Sequence, residues 1–451
     1  MVLSLTYRRP AHVSQDSISS EKSGGQESQT SSSSCPYGIP DALSFDRIIG
    51  GGTCPPVTTR EFMDFLVYIE HDAENLQFYL WYRDYVKRWS ELPEREQKLA
   101  PEWTIEQAQQ ARNEILSEKV AAKKADNHEA AKVFKGTDFE MKANKTAGAP
   151  NPFSTPPRTP SHEAGRESIA PSTVGWSEGG STLGSNMTHH EKKTANAFEE
   201  VGAYQPFTVQ PYREEVSRII SIYIADGGVR RLNLSAQERT ALLKALSITT
   251  HPSAFRDVVA TAEASLRQQA HPNFIRWTIC NGNPPRQTFA RGLGIGGIVA
   301  GIVVGLLITL SGVNRGWRAL AFLAFFIGIA TLFAAWKGMC VVLHGMHHRH
   351  LRPWELFASD DSTSSSDYES GKGSFDSLGS ANSYEDEPWV AKYDKRNVIR
   401  KIFDREVWIQ EPALRSIQDT IFIQALITAF ITGGILTGMH FAICSLTLSL
   451  R

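Results

Sequence analysis

The feature that most constrains this chain is residues 292–313, an unbroken apolar run without a single charged side chain. At 1.5 Å rise per residue a helix of that length crosses the roughly 30 Å hydrocarbon layer of a bilayer. A second run, 317–343, follows after a loop of a few residues containing Arg315 and Arg318, and Trp317 and Trp336 flank its core as an interfacial belt does. A third, 420–446, ends almost at the last residue. Three membrane-spanning helices are therefore expected. The N-terminus, MVLSLTYRRP, lacks the long apolar core of a secretory signal, so the first span is expected to direct insertion itself.

Basic residues near the spans set the expected orientation. Arg276, Arg286 and Arg291 precede the first span, Lys337, Arg349 and Arg352 follow the second, and Arg396, Arg400, Lys401, Arg405 and Arg415 precede the third. The opposite flanks carry only Arg315, Arg318 and Arg451. The excess predicts a cytosolic N-terminal region and 344–419 loop, with the C-terminus outside or lumenal, in a multi-pass protein of the plasma membrane or an internal membrane. No Asp, Glu, Lys or Arg lies within 292–313, 319–336 or 420–446, the central parts of the three runs, which argues against an ion or proton pathway. Gly292, Gly294 and Gly297 match a dinucleotide-binding GxGxxG, but that fingerprint needs a preceding strand, and here it opens a lipid-length run. Gly297, Gly301 and Gly305, repeated in kind by Gly434 and Gly438, instead give small residues one turn apart, which let helices approach closely within one chain or between two copies.

Ahead of the spans the pattern changes to amphipathic helices. Thr58 and Glu61 form a capping box, after which Phe62, Phe65, Leu66 and Ile69 recur at helical spacing until His71 and Asp72 interrupt them. A second helix begins near Glu74 with a stripe of Leu76, Tyr79, Leu80 and Val86. This pair cannot cover its own aromatic faces. Partners are expected after residue 205: Tyr212, Val216, Ile219, Ile220 and Tyr223; then a capping box at Ser235 and Glu238 opening Leu242, Leu243 and Leu246; then Phe255, Val258, Val259, Ala262 and Leu266; then Phe274, Ile275 and Trp277. Strand signals are nearly absent, so the expected fold is all-α.

Between and around these blocks, 1–42 and 136–205 are rich in Ser, Gly, Pro and Thr, too poor in large apolar groups to offset chain entropy, and are expected to be unstructured. Residues 104–124 are expected to form an exposed helix within the 90–205 insertion. Thr155 and Thr159, each followed by Pro, suit proline-directed phosphorylation, and the Asp- and Ser-rich stretch 359–370 suits an acidophilic kinase, although plain solvated linker fits both equally. Five scattered cysteines imply neither a disulfide framework nor a zinc site. His344, His347, His348 and His350 lack neighbouring Cys, Asp or Glu and read as a headgroup-facing cluster rather than a metal site. With 47 Lys+Arg against 48 Asp+Glu, the balance gives no polycation for nucleic acid. No nucleophile, base or metal constellation is evident, so neither an enzyme nor a cofactor is expected.

The order Phe62-Met-Asp-Phe-Leu, Glu74-Asn75-Leu76-Gln77-Phe78-Tyr79, Ile222-Tyr223, Leu232-Asn233-Leu234, Phe255, then Leu266 with Phe274 resembles the regulator of G-protein signalling (RGS) box. The whole chain is similar to fungal membrane-anchored members of that family, including the bud-site-selection type. The resemblance covers 43–89 and 206–281, as two halves of one helical RGS-type bundle split by the insertion, plus the membrane tail. It implies a protein that binds a Gα subunit and accelerates its GTP hydrolysis without bond chemistry of its own. An alternative is a scaffold or landmark for cell polarity or trafficking that keeps the fold but not the activity. It also implies Gα contacts at Glu74, Asn75 and Asn233, and at Gln269 and Asn273, where active members commonly carry an acidic residue and an arginine. Expected partners are thus Gα and the lipid membrane, with a homo-oligomer or another membrane protein compatible with the glycine pattern.

Overall fold

The computed structural model describes residues 7, 9–14, 38–133, 183–203, 209–311, 314–358 and 387–449. Their elements in chain order are helices α1 (Phe45–Ile49), α2 (Thr59–Phe65), α3 (Ala73–Ser90), α4 (Glu94–Gln97), α5 (Ile105–Val133) and α6 (Leu183–Glu200). Then come α7 (Arg213–Ile219), α8 (Ala236–Ile248), α9 (Arg256–Ser265), α10 (His271–Ile279), α11 (Pro284–Leu310), α12 (Ala319–Trp336) and α13 (Val341–Gly345). The rest are β1 (His348–His350), α14 (Pro353–Ala358), α15 (Pro388–Asp394), α16 (Val398–Ile402), β2 (Glu406–Trp408) and α17 (Pro412–Ser449). Single π turns extend α2, α7 and α9 at Leu66–Glu70, Ile220–Ile224 and Leu266–Ala270. Both expected capping boxes form: Glu61 and Glu238 reach the amides of Thr58 and Ser235, whose hydroxyls accept from the glutamate amides in return. Each satisfies two helix-end donors, and losing such a cap costs ~1 kcal/mol.

The chain forms two compact units, Met1–Asp84 with Val259–Arg451, and Tyr85–Val258, and the boundaries fall inside α3 and α9. In the first unit, α2 packs on α10 through aromatic rings. Phe62 and Phe65 lie 4.9 and 5.5 Å from Phe274, and Phe65 lies 5.2 Å from Trp277. Such pairs add about 0.5–1.5 kcal/mol each beyond burial. Leu43, Ile48, Leu66, Leu76 and Leu266 close this core. His271 is buried there and its Nε2 donates to the Leu43 carbonyl at 2.8 Å; burial pushes its pKa down to about 4.

The same unit carries three helices long and apolar enough to cross a membrane: Pro284–Leu310, Ala319–Trp336 and Pro412–Met439. Their bounds correct the sequence reading. The first begins earlier, because Asn283 caps it by accepting from the Arg286 amide at 3.0 Å. The second stops at Trp336, since Gly338 takes a left-handed φ of 86° and 341–345 form the separate α13. The third starts at Pro412 rather than 420.

The described parts of the segment expected to be a cytosolic loop, 344–358 and 387–419, are folded against other residues of the first unit. β1 and β2 pair antiparallel, His348 with Trp408 and His350 with Glu406, so the fold is not wholly α. Short strands made of HRH and EVW carry no alternating apolar pattern and are specified by their neighbours: the His350 amide donates to the Asn281 carbonyl at 2.9 Å and Ile409 to His347 at 2.9 Å. Glu411 accepts from the Cys54 amide at 2.8 Å, and the Gln410 and Glu411 amides both donate to the Pro55 carbonyl. Trp354 stacks on Tyr68 at 4.6 Å, and the Arg352 guanidinium lies 3.5 Å from the centre of the Trp277 ring.

In the second unit, Tyr85 and Trp89 of α3 meet residues from beyond the insertion. Tyr85 lies 5.6 Å from Tyr212 and 6.1 Å from Phe255, its hydroxyl donates to the Thr250 carbonyl, and Trp89 lies 5.2 Å from His251. Arg88 makes a bidentate pair with Glu215 at 2.7 and 2.6 Å. The insertion contributes more than expected. α6 lies within the stretch read as unstructured, yet it buries Thr194, Ala197 and Phe198, and Thr194 donates to the Ser217 carbonyl of α7 at 2.8 Å. α5 is longer than 104–124 and buries Ala111 and Ile115, while the Trp103 amide donates to Ser253 at 2.7 Å.

Candidate partner-binding site

Four of the five candidate contact residues fall in the first unit, around the bend that ends α2 and the π turn that leads into α10. His71 adopts a left-handed conformation, φ 59°, which turns the chain so that Asp72 and Asn75 open α3 on the side of Ser265. Asn75 is buried, 7% exposed, and its side-chain amide donates to the Asp72 carboxylate. The Ser265 hydroxyl lies 3.5 Å from the other Asp72 oxygen. Burial raises Asp72 to about 6, against the opposing hydrogen bond from Asn75. An adjoining pair lies one residue before the bend. Glu70, raised by burial, accepts from the Asn273 amide at 2.5 Å.

Asn273 is also buried, 4% exposed, because residues 9–14 run over it: its amide donates to the Val13 carbonyl at 2.9 Å and its oxygen accepts from the Val13 amide at 3.0 Å. Arg9 anchors that segment by donating to the carbonyls of Arg276 and Lys337 at 2.7 and 3.0 Å. Part of the tail expected to be unstructured is thus a strap laid across a candidate contact residue. Its signal in the sequence is Tyr7 to Pro10, the one stretch of the first 35 residues with an aromatic ring and paired arginines ahead of the Ser-rich run. Glu74 and Gln269 are half-buried, and the Gln269 side-chain oxygen has no hydrogen-bond partner among the described residues.

Asn233 lies in the second unit and is exposed. The turn that presents it is held by the Arg230 amide on the Ile222 carbonyl, 3.2 Å, and the Leu232 amide on the Tyr223 carbonyl, 2.9 Å. Gly227 supplies the left-handed φ of 73° that the turn requires, and buried Leu232 fixes its far end before the Ser235 cap. Chemically, these residues offer amides and carboxyl groups for reciprocal hydrogen bonding and contain no nucleophile. Glu70, Asp72 and Ser265, missed from sequence, join the site only through chain folding.

The packing glycines divide. A methyl group on Gly297 would sit 2.8 Å from the Gly328 Cα, and one on Gly301 would sit 2.8 Å from the Phe325 ring, so both hold α11 against α12; Gly305 is also buried. Gly294 and Gly328, not expected as packing residues, complete that crossing. Gly434 and Gly438 face open space, and Gly433, against Phe322, is the glycine of α17 that meets α12. The histidines do not form one cluster. His344 and His347 lie 3.4 and 3.5 Å from Asp419, while His350 accepts from Arg286 at 2.9 Å. Among the described residues no group of three His, Cys, Asp or Glu side chains is placed to hold a metal ion. Thr155 and Thr159 lie outside the described residues. Compared with known proteins, the chain matches no family model, no curated protein and no solved structure.

Proposed function

We propose that this protein is a membrane-anchored, RGS-like regulator whose cytosolic helical head binds a Gα subunit and accelerates its GTP hydrolysis. The observation that carries the reading is the pairing across the insertion. Phe62 and Phe65 meet Phe274 and Trp277 in one unit, and Tyr85 and Trp89 meet Tyr212, His251 and Phe255 in the other. Those are the faces that the resemblance requires to belong to one bundle. Such a regulator acts by positioning: amides fix the Gα switches in the arrangement of the hydrolytic transition state, and the Gα site supplies the rate. Asn233 suits that role, because an exposed amide both donates and accepts without carrying charge.

The test is single-turnover GTP hydrolysis by the organism's Gα subunits with the full chain in lipid nanodiscs. Asn233→Ala should cut the stimulated rate by roughly tenfold, the loss of one or two hydrogen bonds at ~1.4 kcal/mol, with thermal stability unchanged. Failure to accelerate any Gα removes the proposal. A second reading, a scaffold that retains the fold without the activity, is favoured by one specific observation: Asn75 and Asn273 are buried and already hydrogen-bonded within the chain. For that reading, polarised localisation survives Asn233→Ala and no Gα responds.

A further inference from the structure

The short helix α16 and the strand that follows it present apolar side chains to the exterior although both are anchored to the membrane unit. Val398, Ile399 and Phe403 are 61–65% exposed, and Trp408 is 49% exposed. Nothing about their anchoring is loose. The Lys401 carbonyl accepts from the Asn283 side chain at the cap of α11, and Arg286, 6% exposed, bonds to Glu406 at 2.9 Å and lies over the Phe403 ring. Phe403 meets Phe289 edge-on at 6.0 Å. Phe289 lies three residues, about 4.5 Å of helix rise, before Gly292, where the uncharged run of α11 begins. The exposed face of α16 therefore continues the outward apolar surface of α11, which carries Leu293, Ile295 and Val299 at 52–56% exposure.

Cations are interleaved with these apolar groups. Arg396 is paired with Asp404 at 2.7 Å, and Arg415 lies over the Trp408 ring at 4.8 Å. Lys395, Arg400 and Arg405 are exposed, and among the described residues no carboxylate pairs with them. An apolar face level with the hydrocarbon edge, rimmed by unpaired cations, is the composition that settles into a bilayer interface and attracts anionic headgroups. Soluble proteins cover such side chains, and a protein partner would not need the face to run on into a lipid-crossing helix.

We propose that residues 395–408 form an interfacial clamp that binds anionic phospholipid at the entry of the first span, with Ile399 and Phe403 in the acyl boundary and Lys395, Arg400 and Arg405 on the headgroup. The inference is independent of the Gα reading, because it uses none of the candidate contact residues.

Native mass spectrometry of the full chain, purified in mild detergent from membranes supplemented with equal phosphatidylserine and phosphatidylcholine, tests it. The parent chain is expected to retain phosphatidylserine preferentially. The triple variant Lys395→Gln, Arg400→Gln, Arg405→Gln is expected to lose that preference by on the order of a hundredfold, at about fivefold per cation. The single variant Arg400→Glu, at an exposed site, should lower it while leaving the elution profile of the folded protein unchanged. Equal retention of both lipids by the parent, or an undiminished preference in the triple variant, overturns the proposal. So does a preference seen only after deletion of residues 359–386, which would make that acidic stretch the occupant.

Discussion

Asp72 is the residue on which the candidate site turns. It accepts from Asn75, faces Ser265 and opens α3, yet burial lifts its pKa from 3.8 to about 6. A carboxyl that holds its proton more tightly in the folded state than in the unfolded chain makes stability fall as pH rises between about 4 and 6, and keeps it at the lower level above that. The shift of about two units is worth at most ~3 kcal/mol. Asp72→Asn should therefore gain stability relative to the parent as pH rises through this window, with the gain complete by neutral pH. Thermal unfolding midpoints of parent and variant at a series of pH values measure it; a constant difference would show that Asp72 is not the titrating group. Asn75 is picked out in the sequence by its place after Glu74, but its burial was not legible, because the bend at His71 and the approach of Ser265 join residues almost two hundred positions apart.

Among the elements, helix starts were the most legible. Thr58 and Ser235 declare themselves because a cap is a local arrangement of four residues. What depends on distant neighbours was not legible. α6 is polar along most of its length and exists against α7 through Thr194, Ala197 and Phe198. The β1–β2 ribbon has no strand pattern of its own, and the glycine spacing of α17 pointed to Gly434 and Gly438 where Gly433 makes the approach. The membrane helices turn this into a paired prediction. Gly297→Leu drives a side chain into Gly328 and should lower the thermal stability of the detergent-solubilised chain by about 1–3 kcal/mol. Gly434→Leu meets open space and should be near neutral. Size-exclusion recovery after heating compares them, and equal losses would mean that a second chain occupies the α17 face.

For the whole molecule, composition foretold three helices long and apolar enough to cross a membrane and an α-rich chain ahead of them, while its account of the linking segments was too simple. Within the first unit, the spans and the head residues are fastened directly. Asn281 and Cys340 exchange hydrogen bonds at 2.7 and 3.3 Å, Gln418 donates to the Ile279 carbonyl at 3.2 Å, Arg9 donates to the Lys337 carbonyl, and Glu411 accepts from the Cys54 amide. These bonds put the entry of α11, the exit of α12 and the entry of α17 at one end, as the distribution of basic residues requires, so in the proposed orientation every anchor of the head is cytosolic. Under the proposed function, a regulator fastened in this way recognises the Gα state presented at the membrane. The most direct measurement is binding of the full chain in nanodiscs to Gα carrying GDP alone or GDP with aluminium fluoride, the stand-in for the hydrolytic transition state. The account predicts at least about tenfold tighter binding to the aluminium fluoride form, a difference of ~1.4 kcal/mol or more; equal binding of the two forms, or binding of neither, would contradict it.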